Sequence, residues 1–274
     1  MNPEISIVMP VWRPDPVHFR AAIESVLLQS FRAFELIIVE DPSESSGGEI
    51  AASFDDDRIH YQVNSSRTSQ VEQYNRGLSL ARGLYVAAFD ADDICEPQRL
   101  EIQKDYLDAN PEIGGVGCQL LVIDAAGNPS GWRRYPTGAE EVRKALRRMN
   151  AIPNPGLMFR RELIELHGGW TAGRNGVARD YEWLSRLSKQ GVAFANSDQY
   201  LLRYRIHSSS LTRRKVRPTL ATTLEVKRQY WTREMDAVDI LVFRMEQAFQ
   251  YLPPALVMTM FRLLRLKRGA PPVA

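Results

Sequence analysis

The residues Asp90-Ala91-Asp92-Asp93 place three carboxylates directly after a predicted buried strand. Side chains alternate between the two faces of a strand, so Asp90 and Asp92 are expected to point the same way. Paired carboxylates suit a hard divalent cation such as Mg²⁺ or Mn²⁺, which completes its shell with water and phosphate oxygens. Taken alone, the same residues also fit a solvated acidic turn that caps the next helix. An EF-hand loop is excluded, because Ile94 and Cys95 stand where it needs an oxygen ligand and a glycine.

The segments around this acidic group predict an α/β fold. Continuous apolar runs alternate with helical patterns through the first half of the chain. The predicted strands are residues 5–11, 36–39, 58–63 and 84–89, and the predicted helices are residues 15–30, 69–82 and a helix that begins at Pro97. This alternation predicts a doubly wound, mostly parallel central sheet with helices on both faces.

One edge of the predicted sheet collects acidic side chains. Ligands of doubly wound sheets bind beyond the carboxyl ends of the strands, so the residues that follow each strand matter most. Residues 10–14 follow the first strand, residues 40–43 the second and residues 90–93 the fourth. Carboxylates that meet at this edge repel one another. We therefore expect a cation or a ligand rich in hydrogen-bond donors to compensate them.

The second half of the chain is less regular. The predicted strands there are residues 115–124, 154–161 and 199–206, the predicted helices are residues 139–149 and 180–190, and a helical pattern begins at Pro218. Charge is also divided unevenly, since residues 1–200 carry a net charge of −7 and residues 201–274 carry +9. The C-terminal part is expected to face an anionic partner or the acidic body of the protein.

The composition of the 274 residues, 44% hydrophobic and 25% charged, is ordinary for a globular protein and excludes intrinsic disorder. Two cysteines exclude a disulfide-stapled scaffold and fit a reducing compartment. The sequence has no run of about eighteen apolar residues and no basic lead-in of a secretory signal, so neither a transmembrane helix nor export is expected. These features predict a cytoplasmic protein.

Five segments occur in the order and spacing found in the family 2 glycosyltransferases. They are Ser6–Val11, Ile37–Ser43, Asn75–Leu78, Phe89–Ile94, and Pro97 with Arg99–Glu101. The chain resembles this family over about residues 4–210. The resemblance implies the GT-A fold and an inverting, metal-dependent transfer of a sugar from a nucleotide-diphosphate donor, with UDP as the expected nucleotide.

The resemblance also implies a division of the chain. Residues 1–210 would form the GT-A domain, with residues 1–110 as its nucleotide-binding half and residues 111–210 as its acceptor half. Residues 211–274, named here the C-terminal extension, would be basic and helical.

On the nucleotide side, the resemblance assigns five residues. Pro10 and Val11 would line the nucleotide pocket, and Asp41, with Glu40, would meet the base, where a carboxylate can accept an N–H of uracil. Arg67 lies near the position of a nucleotide-binding arginine in the family, although an ordinary surface arginine is equally compatible with the sequence.

On the diphosphate side, Asp92 would coordinate the Mn²⁺ or Mg²⁺ that binds the diphosphate, and Asp90 would contact the ribose or the water shell of the metal. Asp93 belongs to the same acidic group. His207 would reach the metal or the diphosphate, and Arg205 offers a guanidinium fork that suits phosphate oxygens. A histidine at a strand end without any such role remains the alternative.

The general base implied by the resemblance is Asp180, which would take the proton of the acceptor hydroxyl. Arg179 stands where the family carries an acidic residue, and it could lower the pKa of Asp180 and keep it ionised. Two alternatives stay open: Asp180 is only a helix cap, or Glu182 is the base.

The C-terminal extension suggests further partners. Residues 255–268 combine an apolar face with a basic rim, which is typical of a helix that lies on anionic lipid. Packing on its own domain or on a second subunit is the alternative. A saccharide or lipid-linked glycan in surface polysaccharide synthesis is the expected acceptor, peripheral contact with the inner face of the cell membrane is expected, and nucleic acid is not.

Two other functions fit parts of the sequence. A sugar nucleotidyltransferase would also use a doubly wound sheet and a metal, but it favours a glycine-rich loop after the first strand, and residues 10–14 are not such a loop. A non-catalytic scaffold that binds a nucleotide sugar would explain the departures from the family at Pro42 and Arg179. Replacement of Asp92 or Asp180 separates the two cases, because only an enzyme would lose turnover.

Overall fold

The computed structural model describes residues 2–171, 177, 179–206, 215–253, 256–257 and 267. In this part of the chain the strands are β1 (Ile5–Val11), β2 (Phe34–Glu40), β3 (Ile59–Val63), β4 (Tyr85–Ala88), β5 (Ile94–Cys95), β6 (Ile113–Ile123), β7 (Pro129–Arg133), β8 (Met158–Arg160) and β9 (Ala193–Arg205). The helices are α1 (Pro16–Leu27), α2 (Gly48–Ala52), α3 (Gln70–Leu80), α4 (Arg99–Ala109), α5 (Ala139–Leu146), α6 (Glu162–His167), α7 (Arg179–Lys189), α8 (Val216–Val226) and α9 (Ala237–Phe249).

The described strands form one sheet in the order β3-β2-β1-β4-β8-β6-β9-β5, with β7 paired to β6. Strands β1 to β4 are parallel, as the alternation of strands and helices predicts. The rest of the sheet is mixed, since β8 is antiparallel to both β4 and β6, whereas β6 and β9 are parallel. The expected α/β fold is thus confirmed, with its parallel character concentrated in the first half.

Helices cover both faces of the sheet, which explains why its central strands are apolar throughout. Alternate residues of β1 serve the two sides: Ile7 packs in a cluster with Phe19 of α1, and Val8 packs in a second cluster with Tyr74 of α3. Helix α1 starts at this position because the Asp15 side chain accepts hydrogen bonds from the first free backbone N–H groups of the helix.

Residues 90–93 do not continue the fourth strand. Strand β4 ends at Ala88, and the backbone N–H of Asp93 donates to the carbonyl of Asp90 at 3.3 Å, which closes a turn. Strand alternation, the reason given above for the shared direction of Asp90 and Asp92, therefore does not apply to these residues. Their carboxylates are neighbours because the chain turns here. We call residues 90–93 the acidic turn.

Residues 154–161, expected to be one strand, instead form a short 3₁₀ turn and then β8. The difference has a local cause. Pro155 lies inside the segment and has no backbone N–H to donate, which prevents ordinary strand pairing at that residue.

The described part of the C-terminal extension packs on α5 and α7. The sequence predicts basic groups of the extension against an acidic body, but the ion pairs between them are the reverse. Glu234 of the extension pairs with Arg143 at 2.8 Å and with Lys189, while the buried Asp239 pairs with Arg147 at 3.4 Å and with Arg148. Acidic groups of the extension therefore meet basic groups of the body. No described helix has the length and apolar character that crossing a membrane requires.

Candidate active site

The carboxyl ends of β1, β2 and β4 meet at one edge of the sheet. The three strands run parallel, with Ile5 of β1 in register with Phe34 of β2 and Tyr85 of β4. Residues 10–14, 40–43 and the acidic turn therefore follow their strands on the same side, as the sequence predicts.

Asp90 lies at the floor of this edge. The Tyr74 hydroxyl donates to its Oδ1 at 3.2 Å, and the Asn154 side-chain amide donates to the Tyr74 oxygen at 2.9 Å. Burial raises the pKa of Asp90 to about 6, and repulsion from Asp92 adds to the shift, while the Arg179 guanidinium opposes it. Asp180 is also close enough to raise the pKa of Asp90.

Asp93 is the buried member of the acidic turn. Its Oδ1 accepts the backbone N–H of Arg205 at 2.8 Å, but its Oδ2 is buried without a hydrogen-bond partner. Burial raises the pKa of Asp93 well above its usual value, followed by the charges of Asp92 and Asp90. Two buried carboxylates, Asp90 and Asp93, that repel each other and the charge of Asp92 are an arrangement that a cation would stabilise.

Arg205 fixes the shape of the acidic turn. Its Nε donates to the carbonyl of Asp92 at 2.7 Å, and its Nη1 lies 3.2 Å from the carbonyls of both Asp124 and Ala125. The guanidinium thus links the acidic turn to the loop after β6. Contact with a diphosphate, expected from the sequence, stays a prediction.

Asp180 stands in the first turn of α7 and is half-buried. The Asn150 side-chain amide donates to its Oδ2 at 2.6 Å. Burial raises the pKa of Asp180, and the Arg179 charge and the hydrogen bonds only reduce that shift. Arg179 lowers the pKa of Asp180, as expected from the sequence, but desolvation of the carboxylate outweighs that attraction and the net shift is upward.

Glu182, the alternative base, is engaged elsewhere. Its Oε1 accepts from the Tyr230 hydroxyl at 2.7 Å and from Arg186 Nε at 3.2 Å, and its Oε2 accepts from the Thr171 hydroxyl at 2.8 Å. These bonds tie α7 to the C-terminal extension and to the segment before it. Between the two carboxylates, Asp180 is the one that shares an electrostatic environment with the acidic turn.

The two acidic residues at the end of β2, Glu40 and Asp41, also have partners within the protein. Asp41 is buried, and its carboxylate accepts from the Asn64 amide at 2.7 Å and from the Thr68 hydroxyl and backbone N–H at 2.8 and 2.7 Å. Glu40 accepts from the Tyr61 hydroxyl and from the backbone N–H of Gly47 at 3.0 Å. The predicted contact of Asp41 and Glu40 with a base therefore stays a prediction.

Pro10 and Val11 are buried at the end of β1, and the Val11 carbonyl accepts the Gln73 side-chain amide at 2.6 Å. The residues that reach the surface beside them are Trp12 and Arg67, whose guanidinium lies 3.7 Å from the centroid of the Trp12 ring. A flat aromatic surface with a cation stacked on it is suited to a nucleobase. Pro10 and Val11 can shape such a pocket only from beneath.

The acidic turn offers the oxygen ligands that Mg²⁺ and Mn²⁺ prefer, and the unpartnered Asp93 Oδ2 shows that its hydrogen-bonding capacity is not filled. In the described ranges, no three acidic, histidine or cysteine side chains converge to hold a metal ion by themselves. One or two carboxylates would hold the ion, and water and phosphate oxygens would complete its shell. His207, the other predicted ligand, lies outside the described residues.

Three residues of the site were not predicted from the sequence: Tyr74, Asn150 and Asn154. Tyr74 lies at helical spacing among apolar residues, so its pattern is that of an ordinary core residue. Asn150 and Asn154 flank a three-residue segment with one proline and carry no recognisable signal of their own. Their roles depend on the packing of α3 and α7 around the acidic turn.

Comparison with known proteins agrees with this geometry. Residues 6–168 match the family model described as Glycosyl transferase family 2. The O-antigen biosynthesis glycosyltransferase WbnJ of Escherichia coli is 31% identical over 216 residues, which cover 75% of this chain and 81% of that protein.

Two solved structures share the fold at low sequence identity. The crystal structure of S. aureus TarS 1-349 in complex with UDP has a TM-score of 0.66 at 13% identity, covering 97% of this chain and 76% of that one. The mannosyltransferase PcManGT from Pyrobaculum calidifontis, in complex with GDP-Man and Mn²⁺, has a TM-score of 0.61 at 14% identity, covering 96% and 81%. The chain thus has the fold of the GT-A glycosyltransferases, and it belongs to glycosyltransferase family 2.

Proposed function

We propose that this glycosyltransferase is a metal-dependent, inverting enzyme that moves a sugar from a nucleotide-diphosphate donor to a hydroxyl group. One observation carries the proposal: Asp90 and Asp180 are ninety positions apart in the sequence, yet the charge of Asp180 contributes to the raised pKa of Asp90. The proposed base of the proposed acceptor half thus lies close enough to the acidic turn of the proposed nucleotide half to interact with it electrostatically. Donor and acceptor must meet in such a place.

In this proposal Asp92 holds a divalent metal, Mn²⁺ or Mg²⁺, together with the diphosphate of the donor. A bound metal neutralises the charge that develops on the leaving diphosphate. Asp92 is half-exposed at the acidic turn, where it can reach a ligand, whereas Asp93 is buried beneath it. Arg205 holds the backbone of the turn, and His207 is the proposed further ligand to the metal or the diphosphate.

Asp180 acts as the general base. A carboxylate with a raised pKa is a better proton acceptor than an ordinary one, and burial raises the pKa of Asp180. Asn150 donates to its Oδ2, and backbone N–H groups of Asp180 and Tyr181 also hydrogen-bond the carboxylate, so its orientation towards the acceptor hydroxyl is fixed by the protein. Inversion requires attack from the side opposite the leaving group, so Asp180 and Asp92 would act on opposite faces of the transferred sugar.

The nucleotide is proposed to be UDP, and its base to stack beside Trp12 and Arg67 above Pro10 and Val11. Neighbours of this fold bind UDP in one case and GDP-Man in another, so both nucleotides belong in a test. Residues 1–110 would bind the nucleotide and residues 111–210 the acceptor.

The acceptor is proposed to be a saccharide or lipid-linked glycan in surface polysaccharide synthesis, because a relative of similar length is named for O-antigen biosynthesis. Contact of the C-terminal extension with a membrane surface is proposed from its basic surplus. Of the expected lipid-facing segment, residues 255–268, all but residues 256, 257 and 267 lie outside the described residues. Val238, Leu241 and Met245 lie at helical spacing along α9, and each is about half exposed or more. Cosedimentation with anionic vesicles, compared for the full chain and a triple variant of these side chains to Ser, tests that contact.

The experiment is donor binding and hydrolysis with a panel of UDP- and GDP-sugars, with Mn²⁺, with Mg²⁺ and with EDTA. Asp92→Asn is expected to abolish metal-dependent turnover, and Asp180→Asn is expected to abolish transfer. Asp57→Asn, an exposed carboxylate at the opposite edge of the sheet, is the matched control and should behave like the native protein. Metal-independent turnover, or no binding of any donor by the folded protein, would overturn the proposal.

A further inference from the structure

Arg179 is a buried charged residue that forms no ion pair or hydrogen bond through its side chain with any residue in the described part of the chain. It is 8% exposed, and its Nε is buried with no hydrogen-bond acceptor. Among the described residues, its guanidinium makes a cation–π contact with Tyr74, whose ring centroid lies 5.3 Å from the guanidinium carbon. A guanidinium has five N–H donors, and burying such a charge unpaired destabilises a fold. We therefore expect a bound ligand to supply the hydrogen-bond acceptors that Arg179 lacks.

The position of Arg179 indicates what would pair with it. Its guanidinium lies over the ring of Tyr74, whose hydroxyl donates to Asp90 at 3.2 Å, and Asp180 is the next residue of α7. Neither carboxylate forms an ion pair with Arg179 among the described contacts. The guanidinium thus lies between the floor of the nucleotide side and the proposed base. In the proposed function, the transferred sugar must occupy the space that joins these two carboxylates.

Two more unpartnered polar groups share this neighbourhood. Trp170 stacks on Tyr74 with 5.3 Å between ring centroids, and its indole Nε1 is buried without an acceptor. Asn154 donates to the Tyr74 hydroxyl at 2.9 Å, and its own Oδ1 is buried without a donor. The guanidinium of Arg179 and the indole N–H of Trp170 would be satisfied by acceptor oxygens, and the Asn154 oxygen by a hydroxyl group. An acidic sugar carries both kinds of group.

We propose that Arg179 binds an anionic oxygen group of the donor, and that this group is the carboxylate of a uronic acid sugar. A carboxylate matches the planar fork of a guanidinium with two parallel hydrogen bonds. The inference rests on the proposed function and narrows its donor to an acidic sugar.

The diphosphate is the other anionic group of any such donor, and the geometry disfavours it. Inverting attack is in line, so the leaving diphosphate lies on the face of the sugar opposite the base. Arg179 adjoins the proposed base, Asp180, at the start of α7. In the proposed arrangement, a side chain beside the base is therefore closer to the sugar and its substituents than to the leaving diphosphate.

The test compares matched donors that differ only at C6: UDP-glucose with UDP-glucuronate, UDP-galactose with UDP-galacturonate, and GDP-mannose with GDP-mannuronate. Binding of each donor, and of UDP and GDP alone, is measured by calorimetry with Mn²⁺. The native protein is expected to bind one uronate at least about tenfold more tightly than its neutral counterpart, which is the effect of one charge-assisted hydrogen-bond pair. Arg179→Gln should remove that preference and change nucleotide affinity less than about twofold.

Two further variants complete the experiment. Arg179→Lys keeps the charge without the fork and should retain part of the preference. Arg244→Gln replaces an exposed arginine of α9 and should leave all affinities unchanged. The melting temperature of Arg179→Gln should equal or exceed that of the native protein, whereas a merely structural arginine would lower it on replacement.

Three results would contradict the inference, and they differ from one another. Binding of neutral donors without preference for any uronate overturns the acidic sugar. An Arg179→Gln variant that weakens UDP and the donor by the same factor assigns the residue to the diphosphate. A folded native protein that binds no nucleotide or donor at all overturns the proposed function itself.

Discussion

The carboxylates at the carboxyl ends of β2 and β4 differ in how far the protein itself balances their charge. Asp41, after β2, accepts three hydrogen bonds from the protein, so its charge is compensated within the fold. Asp90 and Asp93, after β4, have raised pKa values because burial and mutual repulsion exceed their hydrogen bonds, and burial raises the pKa of Asp180 on α7. Asp41 therefore has a structural role, since its hydrogen bonds hold the local backbone. The charges of Asp90, Asp93 and Asp180 are instead expected to be balanced by a bound ligand.

This difference determines which measurement each side should affect. Loss of a compensated carboxylate leaves its donors unsatisfied and lowers stability. Loss of an uncompensated carboxylate relieves repulsion, so it leaves stability intact and removes function. The predictions below use stability and activity together to test that separation.

The largest expected effect is that of Asp180→Asn. Removal of a general base is expected to lower kcat about 10²- to 10⁴-fold. Stability should be unchanged or slightly higher, because burial makes the ionised Asp180 unfavourable at neutral pH. Steady-state kinetics and urea unfolding of the same preparation measure both quantities. A variant that keeps kcat within about tenfold of the native value would exclude Asp180 as the base.

Asp41→Ala is the reciprocal change on the compensated side. It removes the acceptor of the Thr68 hydroxyl and backbone N–H and of the Asn64 amide. The free energy of unfolding is expected to fall by about 2–3 kcal/mol, as measured by urea denaturation. Unchanged stability together with a raised KM for the donor would reverse the comparison at this position, and it would favour the contact with the base that the sequence predicts.

Glu234 extends the comparison to the C-terminal extension. Hydrogen bonds from Arg143 and Lys189 lower its pKa from 4.5 to about 2. A lowered folded-state pKa contributes stability above pH 4.5, and that contribution is lost as the pH falls towards 2. Glu234→Gln should therefore cost about 1 kcal/mol at pH 7. It should cost almost nothing near pH 2, and a cost independent of pH would show that the ion pairs do not hold the extension.

The smallest effect concerns the pH dependence of turnover. Asp180 must be ionised to accept a proton, so kcat should fall as the pH falls through its pKa, which burial raises above 3.8. The Arg179 charge opposes that rise, and Arg179→Gln should move the acidic limb of the profile to higher pH. A limb that moves to lower pH, or that survives in Asp180→Asn, would assign it to another group.

Much of the fold is predictable from the sequence because its first half is regular. Strands β1 and β2 are buried on both sides, so they are continuous apolar runs with clear ends. The short strands β5 and β7 were missed because two and five residues without a strong pattern pair only when a longer neighbour is present. The antiparallel pairing of β8 could not be predicted either, because the direction of a short strand depends on its tertiary contacts.

The candidate site divides in a similar way. The acidic turn is evident from the sequence because its carboxylates are adjacent, although the reason given for their proximity, strand alternation, was wrong. Tyr74 could not be distinguished from a core residue, since its position in α3 is apolar and only its hydroxyl reaches the site. The direction of the Asp180 pKa shift depends on burial, which one sequence does not reveal.

The most direct test of the central claim measures nucleotide binding and turnover separately in variants of Asp92 and Asp180. UDP affinity with and without Mn²⁺ would be measured for Asp92→Asn and Asp180→Asn beside the Asp57→Asn control. We expect Asp92→Asn to lose the Mn²⁺-dependent part of UDP binding, and Asp180→Asn to keep it while losing turnover. Equal Mn²⁺-dependent UDP binding in all three variants would contradict the assignment of the metal to the acidic turn.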